Sequence, residues 1–164
     1  MLSNYFCPVP KEQRPINEYC ELIQSTFFSL PLNKERIFQE KVGKVLFFFF
    51  LFFFSCFFFF AFKNTSFLTL VLLSLILSLL SLFLVLLRLF LAWNYIEKRL
   101  YNPTVFYEES GWYDGRYWIK SKNILVQDRL IHAYQVLPSL KKLQGCGLWT
   151  FFFLLFSSLA LFFT

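Results

Sequence analysis

The residues of this chain most able to do chemistry are one imidazole and a small set of carboxylates. His132 is the only histidine, Glu108, Glu109 and Asp114 fall in one polar tract, and Asp128 precedes the histidine by one helical turn. Oxygen donors with a single imidazole suit a divalent cation, so Glu108, Glu109, Asp114 and His132 are candidate metal ligands, with Asp128 beside them. The same charges are accounted for without a metal if they solvate a hairpin and pair with Arg116, Lys120 and Arg129. That assignment is preferred. No recognisable motif sets a nucleophile near His132 and there is no glycine-rich phosphate loop, so the chain is read as no enzyme, with no cofactor specified. A second constellation is aromatic: Trp112, Tyr113, Tyr117 and Trp118. Stacking on single-stranded nucleic acid normally comes with a binding motif that is missing here, so these four are read as a partner-docking patch and no nucleic acid is expected.

The elements that must position these residues are short. Val, Phe, Tyr and Trp between Asn102 and Lys122 favour strands, and Asp114-Gly115 is a strong two-residue hairpin signal because a type I′ turn needs positive φ at both positions. That turn would set Trp112 opposite Tyr117 and Glu109 opposite Lys120, both favourable pairs. Ser110-Gly111 would then be a bulge, or a competing turn that shifts the register. A helix is expected from Ile124 to Leu143, with Leu130, Ile131, Tyr134, Leu137 and Leu140 on one stripe and Pro138 bending it. Near the amino end, Ile16, Tyr19, Cys20, Ile23, Phe27 and Leu30 recur at helical spacing. Pro15 suits the first helical position and Pro31 stops the helix, which is expected to pack on the central segment.

Most of the remaining chain is greasy. Of 164 residues 57% are hydrophobic and 26 are phenylalanine. Three uncharged stretches, 45–62, 66–87 and 147–164, approach or exceed the roughly 18 residues that a bilayer-crossing helix needs. The fold class is therefore a mainly α membrane protein of three transmembrane helices, a hairpin plus a C-terminal span, with segments 1–44 and 88–146 outside the lipid. The second carries a small α+β segment with a β-hairpin. Twenty of the phenylalanines lie in the spans, where hydrocarbon asks for apolarity more than for shape. The second span is expected to continue as helix past Arg88 to Leu100, since no breaker appears before Pro103. Ser74, Ser78, Ser81 and Arg88 share one of its faces, the expected seam against Ser55, Cys56 and Ala61 of the first span.

Charge gives the orientation. Fifteen Lys and Arg flank the spans on the side of segments 1–44 and 88–146, and Lys63 alone faces the other way. By the positive-inside bias the amino end and the central segment share the compartment of synthesis and the C-terminus lies across the membrane. The net charge of +6 follows from that distribution. No apolar segment precedes residue 45, so neither a secretory signal nor a transit peptide is read at the amino end. Cys7, Cys20, Cys56 and Cys146 are scattered, which fits a reducing compartment rather than a zinc or disulfide framework.

Three tracts carry a resemblance: CPVPKEQRPINEY from Cys7 to Tyr19, NPTVFYEESGWYDGRYWIK from Asn102 to Lys120, and DRLIHAYQVLP from Asp128 to Pro138. In their order and spacing they resemble the hypothetical chloroplast reading frame thirty-six family of plastids and cyanobacteria, whose relatives in land plants and algae are called conserved in the green lineage and diatoms. The resemblance implies a plastid-encoded, multi-pass membrane protein of the thylakoid or envelope, with its polar segments in the stroma. It implies a protein partner there, in the upkeep of the photosynthetic membrane. It also implies a loose link to iron-limited growth, and hence an alternative function in handling iron or a cofactor, but it supplies no metal-ligand motif. The Phe-rich spans depart from the Leu/Ala/Val-rich spans of cyanobacterial relatives.

Overall fold

The structure, a computed structural model, describes residues 7–61, 66–108 and 115–162. It is mainly helical: α1 (Pro15–Gln24), α2 (Glu35–Ala61), α3 (Phe67–Tyr101), β1 (Thr104–Glu108), β2 (Gly115–Ile119), α4 (Lys122–Ile131) and α5 (Leu137–Phe162). A π turn at His132–Val136 joins the last two helices, and 3₁₀ turns lie at Lys11–Gln13 and Leu30–Leu32. The chain divides into two compact units: one of residues 7–32 and 91–140, the other of residues 33–90 and 141–162.

The second unit is the greasy one. Its helices belong to three stretches long and apolar enough to cross a membrane, Glu35–Phe60, Phe67–Tyr101 and Lys122–Phe162. Phenylalanine points outward: Phe47, Phe48, Phe52, Phe59 and Phe60 of α2 and Phe152, Phe153 and Phe156 of α5 are all more than half exposed. The interior is made by α3, where Leu70, Ser74, Ser78, Leu82, Leu86 and Leu89 recur every three or four residues and are buried. Ser74 and Ser78 are wholly buried, and their hydroxyls donate to Val71 O and Leu75 O one turn earlier, both at 2.8 Å, so the small side chains cost no unpaired donor. Both belong to the face expected to be the seam against the first span. Ser55, expected opposite them, is exposed and donates to Phe52 O, and Arg88 is exposed as well, so the seam does not include either. Phe54 meets Phe67 edge-on at 6.3 Å between ring centres, and Phe83 meets Phe151 at 6.1 Å.

In the other unit α1 is shorter than its apolar spacing predicts. It ends at Gln24, where Ser25 turns extended, and Pro31 sits in the later 3₁₀ turn. Cys20, Ile23 and Phe27 of the expected stripe are exposed, while Pro15 and Tyr19 are buried. Polar partners set this face: Tyr19 and Glu18 are drawn inward by hydrogen bonds to Gln135 and Arg99.

The hairpin is antiparallel but its register differs from expectation. Glu108 pairs with Gly115, Tyr107 with Arg116, Phe106 with Tyr117 and Val105 with Trp118. Residues 109–114, which include Glu109, Ser110, Gly111, Trp112, Tyr113 and Asp114, lie outside the described residues, so the expected Trp112–Tyr117 and Glu109–Lys120 pairs are replaced. Gly115 belongs to β2 and lacks the positive φ that an Asp-Gly type I′ turn requires; its missing Cβ instead leaves room for the Phe106 ring. Burial decided the register. The chosen pairing puts Val105, Tyr107 and Trp118 together on Val9, and a slip by one residue would turn every one of them outward.

Helix α4 runs through the π turn into α5, and only part of the expected stripe is buried. Leu140 is buried and Ile131 half-buried, but Leu130, Tyr134 and Leu137 are exposed, and Asp128, Val136, Ser139 and Leu143 are buried in their place. The π turn is the cause, because its extra residue rotates everything after it by about 100° relative to a plain helix. It ends two residues before Pro138, whose ring would clash with the carbonyl four residues back in a regular helix. The distortion thus takes the place of the expected bend.

Candidate functional site

The polar unit is organised by two cations, one buried and one half-buried. Strand alternation puts Lys120 on the same side as Trp118, facing inward just past the end of β2. An inward lysine must find acceptors or lose its charge, and Lys120 finds three. Its ammonium donates to Asp128 Oδ2 at 2.6 Å and to Arg99 O and Leu100 O at 2.9 and 3.2 Å, with both charged side chains almost fully buried. Arg99 and Leu100 lie in the last turn of α3, whose carbonyls have no intrahelical partners, so one cation caps that helix and anchors it to α4.

Arg99 is the second. Its guanidinium donates to Glu18 Oε1 (2.5 Å), the Tyr95 hydroxyl (2.7 Å), Gln13 O (2.8 Å) and Phe106 O (3.3 Å), joining α1, α3 and β1. Gln13 extends the network by meeting the backbone of Glu108 from both ends of its amide. Its Nε2 donates to Glu108 O at 3.0 Å and its Oε1 accepts from Glu108 N–H at 2.9 Å. Glu18 Oε2 is buried and has no partner among the described residues. Desolvation therefore holds the Glu18 carboxyl above its usual range, with the attraction of Arg99 only partly opposing it.

The candidate ligands among the described residues, Glu108 and His132, have separate partners. His132 Nε2 lies 3.0 Å from Glu97 Oε1, with the Tyr101 ring 5.4 Å from the imidazole and the Arg129 guanidinium over the same tyrosine at 5.5 Å. Glu108 sits at the end of β1 with its backbone held by Gln13, Asp128 is taken by Lys120, and Glu109 and Asp114 fall outside the described residues. Among the described residues no three of His, Cys, Asp and Glu are grouped to hold a metal ion. The docking aromatics separate too. Trp118 packs inward against the Val9, Val105 and Tyr107 cluster, while Tyr117 faces out, 75% exposed, beside Phe106 at 5.2 Å; Trp112 and Tyr113 lie outside the described residues. The outer face of the hairpin is thus Phe106, Tyr117 and Ile119, all exposed. Sequence reasoning missed Arg99 and Gln13; it set Lys120 among three partners for the carboxylates, Asp128 included, without choosing the pair. Only Lys120 left a usable signal, its even spacing from an inward tryptophan.

The N-terminal, hairpin and α4 tracts that build this network fall inside residues 7–149, matched by the family model described as CGLD27-like, conserved in the green lineage and diatoms 27. The chain belongs to that family. It is similar to the protein of Pyropia yezoensis named "Uncharacterized protein ycf36", 40% identical over 88% of this chain and 87% of the relative. It is similar also to the protein of that name from Cyanophora paradoxa, 42% identical over 85% and 87%. The chloroplastic protein of Arabidopsis thaliana, conserved in the green lineage and diatoms 27, is 34% identical over 83% of this chain and 42% of its own length. No solved structure matches.

Two measurements check the network. Lys120→Met or Asp128→Asn alone should lower unfolding stability by about 3–5 kcal/mol, because each leaves one charge buried and unpaired, whereas Lys120→Met with Asp128→Leu should restore a large part of it. Denaturant titration of the three variants reads this directly. Glu18, whose folded pKa is raised above the unfolded value of 4.5, binds its proton more tightly when folded. Its contribution therefore grows as pH falls from the folded pKa to 4.5 and is lost on going above it. Parent protein should gain stability relative to Glu18→Gln across that window.

Proposed function

We propose that this chain is a non-enzymatic, multi-pass membrane protein of the plastid that presents its polar unit to a protein partner on the stromal side, as an accessory to upkeep of the photosynthetic membrane. The observation that carries the docking reading is the outer face of the hairpin. A solvated antiparallel hairpin buries one face and keeps the other polar, yet here Phe106, Tyr117 and Ile119 stand exposed on the side away from the Val9 cluster. The ion network behind them fixes both strands, so the face is preorganised and a partner need not spend free energy ordering it.

The membrane reading is supported by composition and by one tie. Lys142 Nζ donates to Asn33 O at 3.0 Å, joining the residues just before α2 to those just before the apolar run of α5. Both spans therefore start together, as helices that enter lipid from one side. That agrees with the fifteen cations on one flank and one on the other. The plastid assignment is supported by the relatives, one of which carries the word chloroplastic in its name.

The test is photo-crosslinking from position 117 in intact plastid membranes, with Ile119→Asp as the control. A discrete protein adduct formed from position 117, and weakened at least tenfold by Ile119→Asp, is the expected result. Recovery of lipid adducts alone would remove the docking reading, and stoichiometric iron in the purified protein would replace it with metal handling.

A further inference from the structure

Between the start of α2 and the start of the apolar part of α5 lies a pocket of about 300 Å³, lined by Glu35, Phe38, Gln39, Lys141, Lys142, Gly145, Cys146 and Trp149. Every one of these residues belongs to the greasy unit. We infer that this pocket binds the headgroup of an anionic membrane lipid, with Lys141 and Lys142 as the charge partners and Trp149 at the headgroup boundary. The inference rests on the membrane-spanning reading above.

Depth comes first. A helix rises about 1.5 Å per residue, so Gln39 lies about 9 Å before the apolar run that opens at Val45, and Lys142 about 8 Å before the one that opens at Gly147. Two helices that enter hydrocarbon in parallel thus line one pocket from the same level, just outside it. Headgroups sit at that level, and Trp favours it. Trp149 is 68% exposed and leans on Phe153, with ring centres 6.4 Å apart, the direction in which acyl chains would run.

Charge selects the ligand. Lys142 gives one of its three donors to Asn33 O, leaving two for the pocket, and Lys141 is exposed with no intramolecular partner among the described residues. Gln39 and the Trp149 indole add neutral donors in the same condition. Lys34 just before α2 and Arg36 in its first turn add positive charge at that helix start, whose leading amides also favour an anion. Glu35 is the one carboxylate in the lining and opposes binding, so the pocket keeps a net positive field rather than an extreme one. Gly145 leaves the floor open, since a Cβ there would meet nothing within 4 Å. Basic pockets between membrane helices on the positively flanked side take phosphate-bearing lipid headgroups, and a phosphate or sulfonate on a lipid is the ligand chemistry these donors match.

The full chain in nanodiscs made from phosphatidylcholine with a minor fraction of phosphatidylglycerol is the material for the test. Native mass spectrometry after release from the disc reads the retained lipid. Phosphatidylglycerol should be retained at least tenfold above its share and be lost as salt is raised. Each lysine near an anionic headgroup contributes about fivefold in affinity, so Lys141→Gln should lower retention about fivefold and Lys141→Gln with Lys142→Gln about twenty-five-fold. Lys98→Gln with Lys122→Gln removes the same charge elsewhere and should change nothing. Lys141→Gln alone spares the Asn33 bond, so its result stands even where the double variant folds poorly. Equal retention of the two lipids, or an undiminished preference in Lys141→Gln, overturns the inference. Full displacement by soluble glycerophosphate overturns it too, because the ligand would then be a free phosphate ester. A chain that never enters the disc sinks the membrane reading instead, a different failure from insertion without preference.

Discussion

A buried ammonium holds the polar unit together. Lys120 gives its three donors to one carboxylate and to two carbonyls at the end of α3, in a place where neither charge reaches water. Such a pair is weak evidence for net stability, since hydrophobic replacements often do as well. What it supplies is specificity: only one arrangement of β2, α3 and α4 brings those acceptors together. Arg99, one position before Leu100 in the same helical turn, does the same for α1 and β1 from the other side of the helix end. The last turn of α3 is therefore the place on which five segments converge, and the hairpin register and the inward turn of α1 both follow from it.

The greasy unit obeys a different constraint. Its packing is carried by α3, whose buried face repeats every three or four residues, and by hydroxyls that return their hydrogen bonds to their own backbone, as Ser74, Ser78, Thr150 and Ser157 all do. The phenylalanines contribute little to that interior. Their place is outward, where contact with lipid tails would ask only for apolar area and where one large side chain serves as well as another. That explains how a sequence can become two-thirds phenylalanine over residues 45–62 without losing its helix.

The long helices were legible because their signals are redundant: eighteen apolar residues in a row survive any local misreading. The length of α3 was legible for the same reason, with nothing to break it before Pro103. Local geometry was not. The Asp114-Gly115 turn is a strong preference of about two residues, and it lost to the burial of Val105, Tyr107 and Trp118, which no local pattern announces. The stripe expected on α4 held only at Leu140 and in part at Ile131, because a π turn carries no signature except the nearby Pro138. At the candidate site, the charges of the described residues pair across elements. Asp128 is found on Lys120, one of the three partners expected for these carboxylates, whereas Arg99 with Glu18 is a tertiary pair whose spacing means nothing along the chain.

The central claim is that the Lys120 and Arg99 network stands on one side of a membrane that the phenylalanine-rich helices cross. Cys20 is the exposed native cysteine of α1, so it can report sidedness once Cys7, Cys56 and Cys146 are replaced by alanine. The measurement is labelling by a membrane-impermeant maleimide in sealed vesicles of known orientation, comparing Cys20 with a Tyr117→Cys reporter and a cysteine appended after Thr164. The account predicts that Cys20 and the position-117 reporter react from the same face and that the appended cysteine reacts only from the opposite one. Labelling of Cys20 and position 117 from opposite faces, or of all three from one face, would contradict it.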